Sequence, residues 1–315
     1  MEKIKLHIDT DIGADVDDLC AIAYLLKRDD VEITGITTCL DKEGRRTRYV
    51  KRVLELCRMP EIPVGAGGDG TLDSKTLYAS AFSTEQSMFG TEIDGIAPAE
   101  PTAEEVLEHS LAQGAAVAAI GPLTNVARLV EKNGTEIFSA DNLFFMGGSL
   151  HAPEKGYPNW GRENDWNINM DLPAADIVLN HCNLTLVEIA PTLKVFLTES
   201  DCAKLDGTDE VNSLIARQGR FWRNHADFII EETAKCGKLP RDLCNFHYDP
   251  LTCAIAAGFS DYSAEEIAIE FHPLAEKKTY TMVETESGNR VRLVYDADGP
   301  LFNHSFMNTM LKTLR

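Results

Sequence analysis

Short apolar runs alternate with amphipathic stretches almost from the first residue, and this rhythm constrains the fold more than any other feature. Lys3–Ile8 predicts a strand, Asp17–Lys27 (DDLCAIAYLLK) a helix and Val31–Thr38 (VEITGITT) a second strand. Arg45–Cys57 predicts a helix that gathers Val50, Val53, Leu54 and Cys57 on one face. Strands at Ala115–Ile120, Asn142–Met146 and Leu184–Ile189, interleaved with helices at Leu123–Leu129 and Pro173–Leu179, continue the pattern. Such alternation argues for an α/β fold with an open, mainly parallel central sheet and helices on both faces. Leu150–Asp165, rich in Pro, Gly, Asn and Trp, breaks the rhythm as a long loop. Near the C-terminus Ile267–Pro273, Thr279–Thr285 and Arg290–Tyr295 read as strands, with Ser287-Gly288-Asn289 expected to close a hairpin. No repeat or compositional break divides the sequence, so one domain over residues 1–315 is expected.

Charge narrows the partners. The 315 residues carry 30 Lys+Arg against 50 Asp+Glu, a formal charge of −20, and no basic patch that could neutralise nucleic-acid or lipid phosphates. Most of the carboxylates read as solvated surface. No stretch approaches the ~20 apolar residues of a membrane span, and MEKIKLHIDTD has no apolar core of signal-peptide length. The eight cysteines form no CxxC pair and several lie in apolar runs, as buried reduced thiols of a cytoplasmic protein would.

The densest chemistry follows the first strand, where Asp9, Asp11, Asp15, Asp17 and Asp18 fall within ten residues. Carboxylates so close repel one another, and Gly13 permits the tight turn that would bring them together. The carboxyl edge of an open α/β sheet is where ligands normally bind. Helix capping accounts for one or two of these residues; an oxygen-ligated Ca²⁺ or Mg²⁺ accounts for the rest. The spacing is not that of an EF-hand. Asp9-Thr10-Asp11 is similar to the DxD of haloacid-dehalogenase-like phosphatases, but Gly13 stands where those enzymes have a small hydroxyl residue, and no Lys/Arg phosphate clamp is evident.

DTDIGADVDD, opening a helix, resembles the signature of the nucleoside hydrolases, the inosine–uridine-preferring N-ribohydrolase family, with two extra residues between Gly13 and Asp17-Asp18. Four further segments follow in the family's order. Gly121-Pro122-Leu123-Thr124-Asn125 resembles its GPLTN segment, and Phe145-Met146-Gly147-Gly148 its MGG strand end. Asn159, Asp165-Trp166-Asn167 and Asp171 resemble its ribose-binding asparagines and acid, and Tyr248-Asp249-Pro250-Leu251 its late His-Asp-Pro-Leu.

The resemblance implies hydrolysis of the N-glycosidic bond of ribonucleosides, with Ca²⁺ ahead of Mg²⁺ as cofactor, a small-molecule nucleoside as substrate, and a homodimer or homotetramer. It implies Asp11 as metal ligand and base, and Asp18, Asp249 and the Thr124 carbonyl as further ligands. Asp17 would lie between metal and ribose, with Asp15 the alternative for either role. Asn159, Asp165, Asn167 and Met146 would contact the sugar. Asp171, before Leu-Pro, reads as a helix N-cap and stays outside the site.

Departures from the family pattern concentrate at the substrate. Lys42 replaces an asparagine and would bring a positive charge toward the sugar's 5′ end. Asp165 stands for a longer Glu, with Glu163 nearby. Tyr248 replaces the histidine that protonates the leaving base in some members, and His247 is displaced by one position; these two are the leaving-group candidates, with His225 a third. The family's His-Gly before Asp94-Gly95 is missing, since Thr91-Glu92-Ile93 precedes it. These differences keep two alternatives open: a divergent member acting on another ribosyl substrate, and a non-catalytic, metal-dependent nucleoside or ribose binder.

Overall fold

The computed structural model describes residues 3–73, 89 and 92–313; Thr91 lies outside them. Its strands are β1 (Ile4–Thr10), β2 (Val31–Thr38), β3 (Val64–Ala66), β4 (Ala116–Ala119), β5 (Leu143–Met146), β6 (Thr185–Val187), β7 (Phe196–Thr198), β8 (Leu243–Phe246), β9 (Tyr262–Leu274), β10 (Thr279–Glu284) and β11 (Asn289–Ala297). Nine of them form one sheet in the order β10-β9-β11-β6-β5-β4-β1-β2-β3, and β7 pairs with β8 in a small antiparallel ribbon. From β3 to β11 every neighbour is parallel, and β9 alone runs against the rest.

Successive side chains on a strand point to opposite faces, and here each face has its own core. Leu6, Ile8, Ala118, Phe144 and Met146 pack with the helices Asp17–Leu26 and Tyr248–Ala256. Val117, Ala119, Leu143 and Phe145 pack with the helices Thr124–Asn133 and Leu172–His181. Both faces of the central strands are therefore covered, which is why they read as nearly continuous apolar runs.

The expected hairpin at Ser287-Gly288-Asn289 does not form. Glu284 of β10 and Asn289 of β11 both pair with Ile269, from opposite sides of β9. The chain crosses β9 between them, and a Cβ on Gly288 would lie 2.2 Å from the Ile269 carbonyl oxygen. The glycine marks this close crossing, not a two-residue turn.

From β1 the chain winds outward to β2 and β3 on one side, and from β4 to β5 and β6 on the other. The carboxyl ends of β1 and β4 thus flank the point where strand order reverses, the usual ligand crevice of such sheets.

Candidate active site

At that point lies a cavity of about 480 Å³, and it gathers residues from across the sequence: the loop after β1, Met146 at the end of β5, Asp165 to Asn167, and Tyr248-Asp249 after β8. The acidic loop folds over its floor. Val16, not an aspartate, is the N-cap of helix Asp17–Leu26 and makes no side-chain cap bond. Asp249 likewise caps nothing, since His247 holds the N-cap position of its helix without a side-chain bond. Capping therefore does not account for these acids.

Asp11, Asp15, Asp17, Asp18 and Asp249 all line the cavity. Carboxylate oxygens of Asp15, Asp17 and Asp18 lie within 4.8 Å of one another. Burial, then repulsion from Asp15, Asp249 and Asp18, holds the Asp17 carboxyl well above its ordinary range. Burial first, then repulsion from Asp11 and Asp15, raises Asp18, and burial followed by repulsion from Asp18, Asp15 and Asp11 raises Asp249. Asp11 is raised by burial and partly relieved by the Arg46 guanidinium and by the Trp166 indole. Arg46 itself donates to the Ile12 and Leu40 carbonyls, bracing the loop. A buried set of hard oxygen donors with this excess of negative charge fits a Ca²⁺- or Mg²⁺-like cation, which would supply the countercharge.

Orientation of the individual acids comes from neighbouring donors. Trp166 Nε1 donates to Asp11 Oδ2 at 3.0 Å, Asn245 Nδ2 to Asp15 Oδ2 at 2.9 Å, and the Thr10 hydroxyl to Asp18 Oδ1. Beneath them Asp9 is fully buried. Its Oδ1 accepts from Thr37 at 2.6 Å and Asn125 at 2.8 Å, its Oδ2 has no partner among the described residues, and burial pushes its carboxyl up to about 7. Asp9 therefore supports the floor from below and does not line the cavity.

Asp165 and Asn167 also reach the cavity, but much of their bonding capacity is committed. Asp165 accepts from Gly148 N at 2.6 Å, Tyr280 Oη at 2.8 Å and Ile168 N at 3.1 Å, tying the long loop to β5 and β10. Asn167 Nδ2 donates to the Ile120 and Met146 carbonyls, at 3.2 and 3.0 Å, which leaves its Oδ1 as the group free to accept from a ligand. Asp171 is the N-cap expected, accepting from Ala174 N at 3.2 Å, and it also takes the Thr124 hydroxyl at 2.6 Å.

Several expected residues stand elsewhere. His247 points away from the cavity into the core. Its ring centre lies 4.3 Å from that of Phe306, neither ring nitrogen has a partner among the described residues, and burial pushes it down to about 3. It cannot donate a proton to a base. Asn159 is exposed and Lys42 half-buried in the turn Lys42–Gly44, and neither is on the wall. Thr124 opens its helix and its side chain is not on the wall either. Glu163 is exposed and paired with Arg162. His225 is exposed and stacks on Phe221 at 4.0 Å. Tyr248 does line the cavity, and burial and the neighbouring aspartates hold its phenol well above its ordinary range.

Of the aromatic residues on the wall, Trp160 and Trp166 read from the sequence as able either to stack on a base or to pack, whereas Trp222 and Phe228 carry no such reading. Trp160, Trp222 and Phe228 lie together on the wall, with ring centres 5.7 Å apart for Trp160–Phe228 and 6.1 Å for Trp222–Phe228, and Glu232, ion-paired with Lys235 at 3.2 Å, lines it too. The two helices that carry Trp222, Phe228 and Glu232 have no motif; a Trp and a Phe six residues apart in RFWRNHADF were the only signal.

Comparison with known proteins agrees with this geometry. The family model for inosine-uridine preferring nucleoside hydrolases matches residues 6–307. A pyrimidine-specific ribonucleoside hydrolase, RihA, of Salmonella paratyphi C is 30% identical over 182 residues, which is 56% of each chain. The chain thus spans little more than half the length of the curated relatives of this kind. Two solved structures share the fold: the plant nucleoside hydrolase PpNRh1, with a TM-score of 0.77 and 19% identity over 98% of this chain and 99% of that one, and a purine-preferring ribonucleoside hydrolase from Gardnerella vaginalis, with 0.76 and 20% over 98% of each. The match across nearly the whole sequence, on top of the acidic floor at the strand switch point, places the chain in the inosine-uridine preferring nucleoside hydrolase family.

Proposed function

We propose that the protein hydrolyses the N-glycosidic bond of ribonucleosides, releasing ribose and the free base. The observation that carries this reading is the convergence of Asp11, Asp15, Asp17, Asp18 and Asp249 on one cavity that Trp160, Trp166, Trp222 and Phe228 also line. Sugar and base call for those two surfaces: carboxylates for the positive charge that develops at the anomeric carbon, and rings for a flat heterocycle.

Asp11, Asp18 and Asp249, with Asp15 and the Thr124 carbonyl, would hold a divalent cation, Ca²⁺ ahead of Mg²⁺, which when bound orients a water and lowers its pKa. Asp11 accepts the water's proton at Oδ1, since Trp166 occupies Oδ2 and fixes the carboxylate plane. Asp17 and Asn167 Oδ1 accept from ribose hydroxyls, and Met146 with Asp165 shapes the sugar's side of the cavity. The nucleoside is the small-molecule partner; a homodimer or homotetramer completes the reading by family resemblance, and a cytoplasmic location by the buried free thiols; no helix among the described residues is long and apolar enough to cross a membrane. Named relatives differ in base preference, one pyrimidine-specific and one purine-preferring, so a panel of both kinds is the test. Incubation with Ca²⁺ and uridine, cytidine, inosine, adenosine or guanosine should release reducing sugar from at least one. Absence of release from all of them, with the cation bound, refutes the reading.

A further inference from the structure

Tyr280 stands on β10, the edge strand of the sheet, which five strands separate from β1. Its side chain is fully buried, and its ring lies against Phe271 of β9 with centres 5.2 Å apart. The phenol donates to Asp165 Oδ2 at 2.8 Å, across 115 residues of sequence. Gly148 N donates to the same oxygen at 2.6 Å, and Ile168 N to Oδ1 at 3.1 Å. A carboxylate offers about four lone-pair sites, so donors of the protein fill most of what Asp165 has. With 2% of its surface exposed, it is turned more toward its own helix than toward a ligand.

What Asp165 holds is the start of the helix Trp166–Met170, of which it is the N-cap. The first two residues of that helix are the ones the site uses. Trp166 Nε1 donates to Asp11 Oδ2 at 3.0 Å, and Asn167 is pinned by the Ile120 and Met146 carbonyls with its Oδ1 left for a ligand. A helix of five residues falls far short of the roughly 12–15 at which an isolated helix becomes even marginally stable. The direction of Trp166 therefore depends on how its N-cap is held. Of the three donors to Asp165, Ile168 belongs to the helix itself and Gly148 to the chain that leads into the long loop. Tyr280 is the one that comes from a separate element, and β10 lies beyond the last sequence motif, Tyr248–Leu251.

We propose that Tyr280 is a positioning residue of the active site, acting through Asp165 and Trp166 on the orientation of Asp11; the inference rests on the hydrolase reading above. Tyr280→Phe removes the hydroxyl and keeps the ring on Phe271. The chain has three tryptophans, so a nitrogen–proton correlation spectrum of the protein with Ca²⁺ carries three indole signals, and Trp166→Phe identifies one of them by its loss. That signal should move upfield in Tyr280→Phe as the hydrogen bond to Asp11 weakens, while the Trp222 signal stays in place. Asp165→Ser keeps a cap for Ile168 N but is too short to reach Tyr280, so it severs the same link from the other side and should displace the same signal. On the ribonucleoside that the unaltered protein cleaves best, Tyr280→Phe should lower kcat about tenfold and change KM by less than about threefold. The double variant Tyr280→Phe/Trp166→Phe should lose less than the product of the two single losses, since both changes act on one link. A Trp166 signal that does not move, or losses that multiply, overturns the proposal. A displaced signal in a protein whose unaltered form releases no sugar from any nucleoside would instead overturn the hydrolase reading, and with it the role of Tyr280 in turnover.

Discussion

Trp166 Nε1 donates a hydrogen bond to Asp11 Oδ2 at 3.0 Å, from a side chain that is itself 46% exposed. The indole thus orients the proposed base without forming part of the core. A hydrogen bond to a charged group contributes about 1.5–3 kcal/mol. Trp166→Phe should therefore lower kcat/KM about 10- to 100-fold while shifting Tm by no more than about 2 °C. Steady-state kinetics and a thermal melt on the same preparation check both halves.

Gly121 holds the other side of Asp11. A Cβ there would stand 2.8 Å from the Asp11 amide nitrogen, 2.9 Å from its Oδ1 and 2.7 Å from Cys39 Sγ. Two of those contacts are with the backbone and carboxylate of the proposed base, so relief must displace it. Gly121→Ala should cost about 1–3 kcal/mol by overpacking and should reduce turnover by more than it reduces stability, as denaturant melts and assays would show.

Asp9 makes stability depend on pH. Its folded-state pKa, about 7, lies above the ordinary 3.8, so between those values the folded protein keeps a proton that the unfolded chain has lost. The contribution is fully present below about pH 4 and is lost as pH rises through 7. Asp11, Asp17, Asp18 and Asp249 are raised in the same direction. With divalent cations chelated, Tm should fall as pH rises across this window, and Asp9→Asn, which keeps an acceptor for Thr37 and Asn125, should flatten part of the slope. An unchanged slope contradicts the assignment.

Cation binding should reverse that trend. A ligand at 100 times its Kd that binds only the folded state adds about 2.7 kcal/mol. Titration with Ca²⁺ near neutral pH should therefore raise Tm by several degrees. Asp18→Asn and Asp249→Asn should each require far higher Ca²⁺ for the same shift, and a control at exposed Glu163 should not.

The elements with strong local periodicity were legible in the sequence. Val31–Thr38 is a strand with the bounds expected, and Arg45–Leu56 a helix ending one residue earlier. Asp11 and Asp18 stand out because carboxylates of one sign have few reasons to cluster, whereas Asp249 joins them only through the resemblance of Tyr248-Asp249-Pro250-Leu251 to the family's late motif. What escaped depends on direction and on long-range packing. His247 and Tyr248 are adjacent, yet at the first turn of a helix neighbouring side chains diverge, one into the core and one into the cavity. The Ser287-Gly288-Asn289 turn signal was real, but β9 occupies the place between β10 and β11 that a hairpin would have closed. Trp222, Phe228 and Glu232 sit on helices whose approach to the cavity is set by tertiary packing, which no spacing encodes.

The most direct measurement is sugar release by the intact protein and by Asp11→Ala, both with Ca²⁺ and both shown folded by circular dichroism. The account predicts reducing sugar from the unaltered protein and a loss of at least about 100-fold in the variant, the usual contribution of a general base. Comparable rates from the two proteins, or no sugar from the unaltered one, would contradict it.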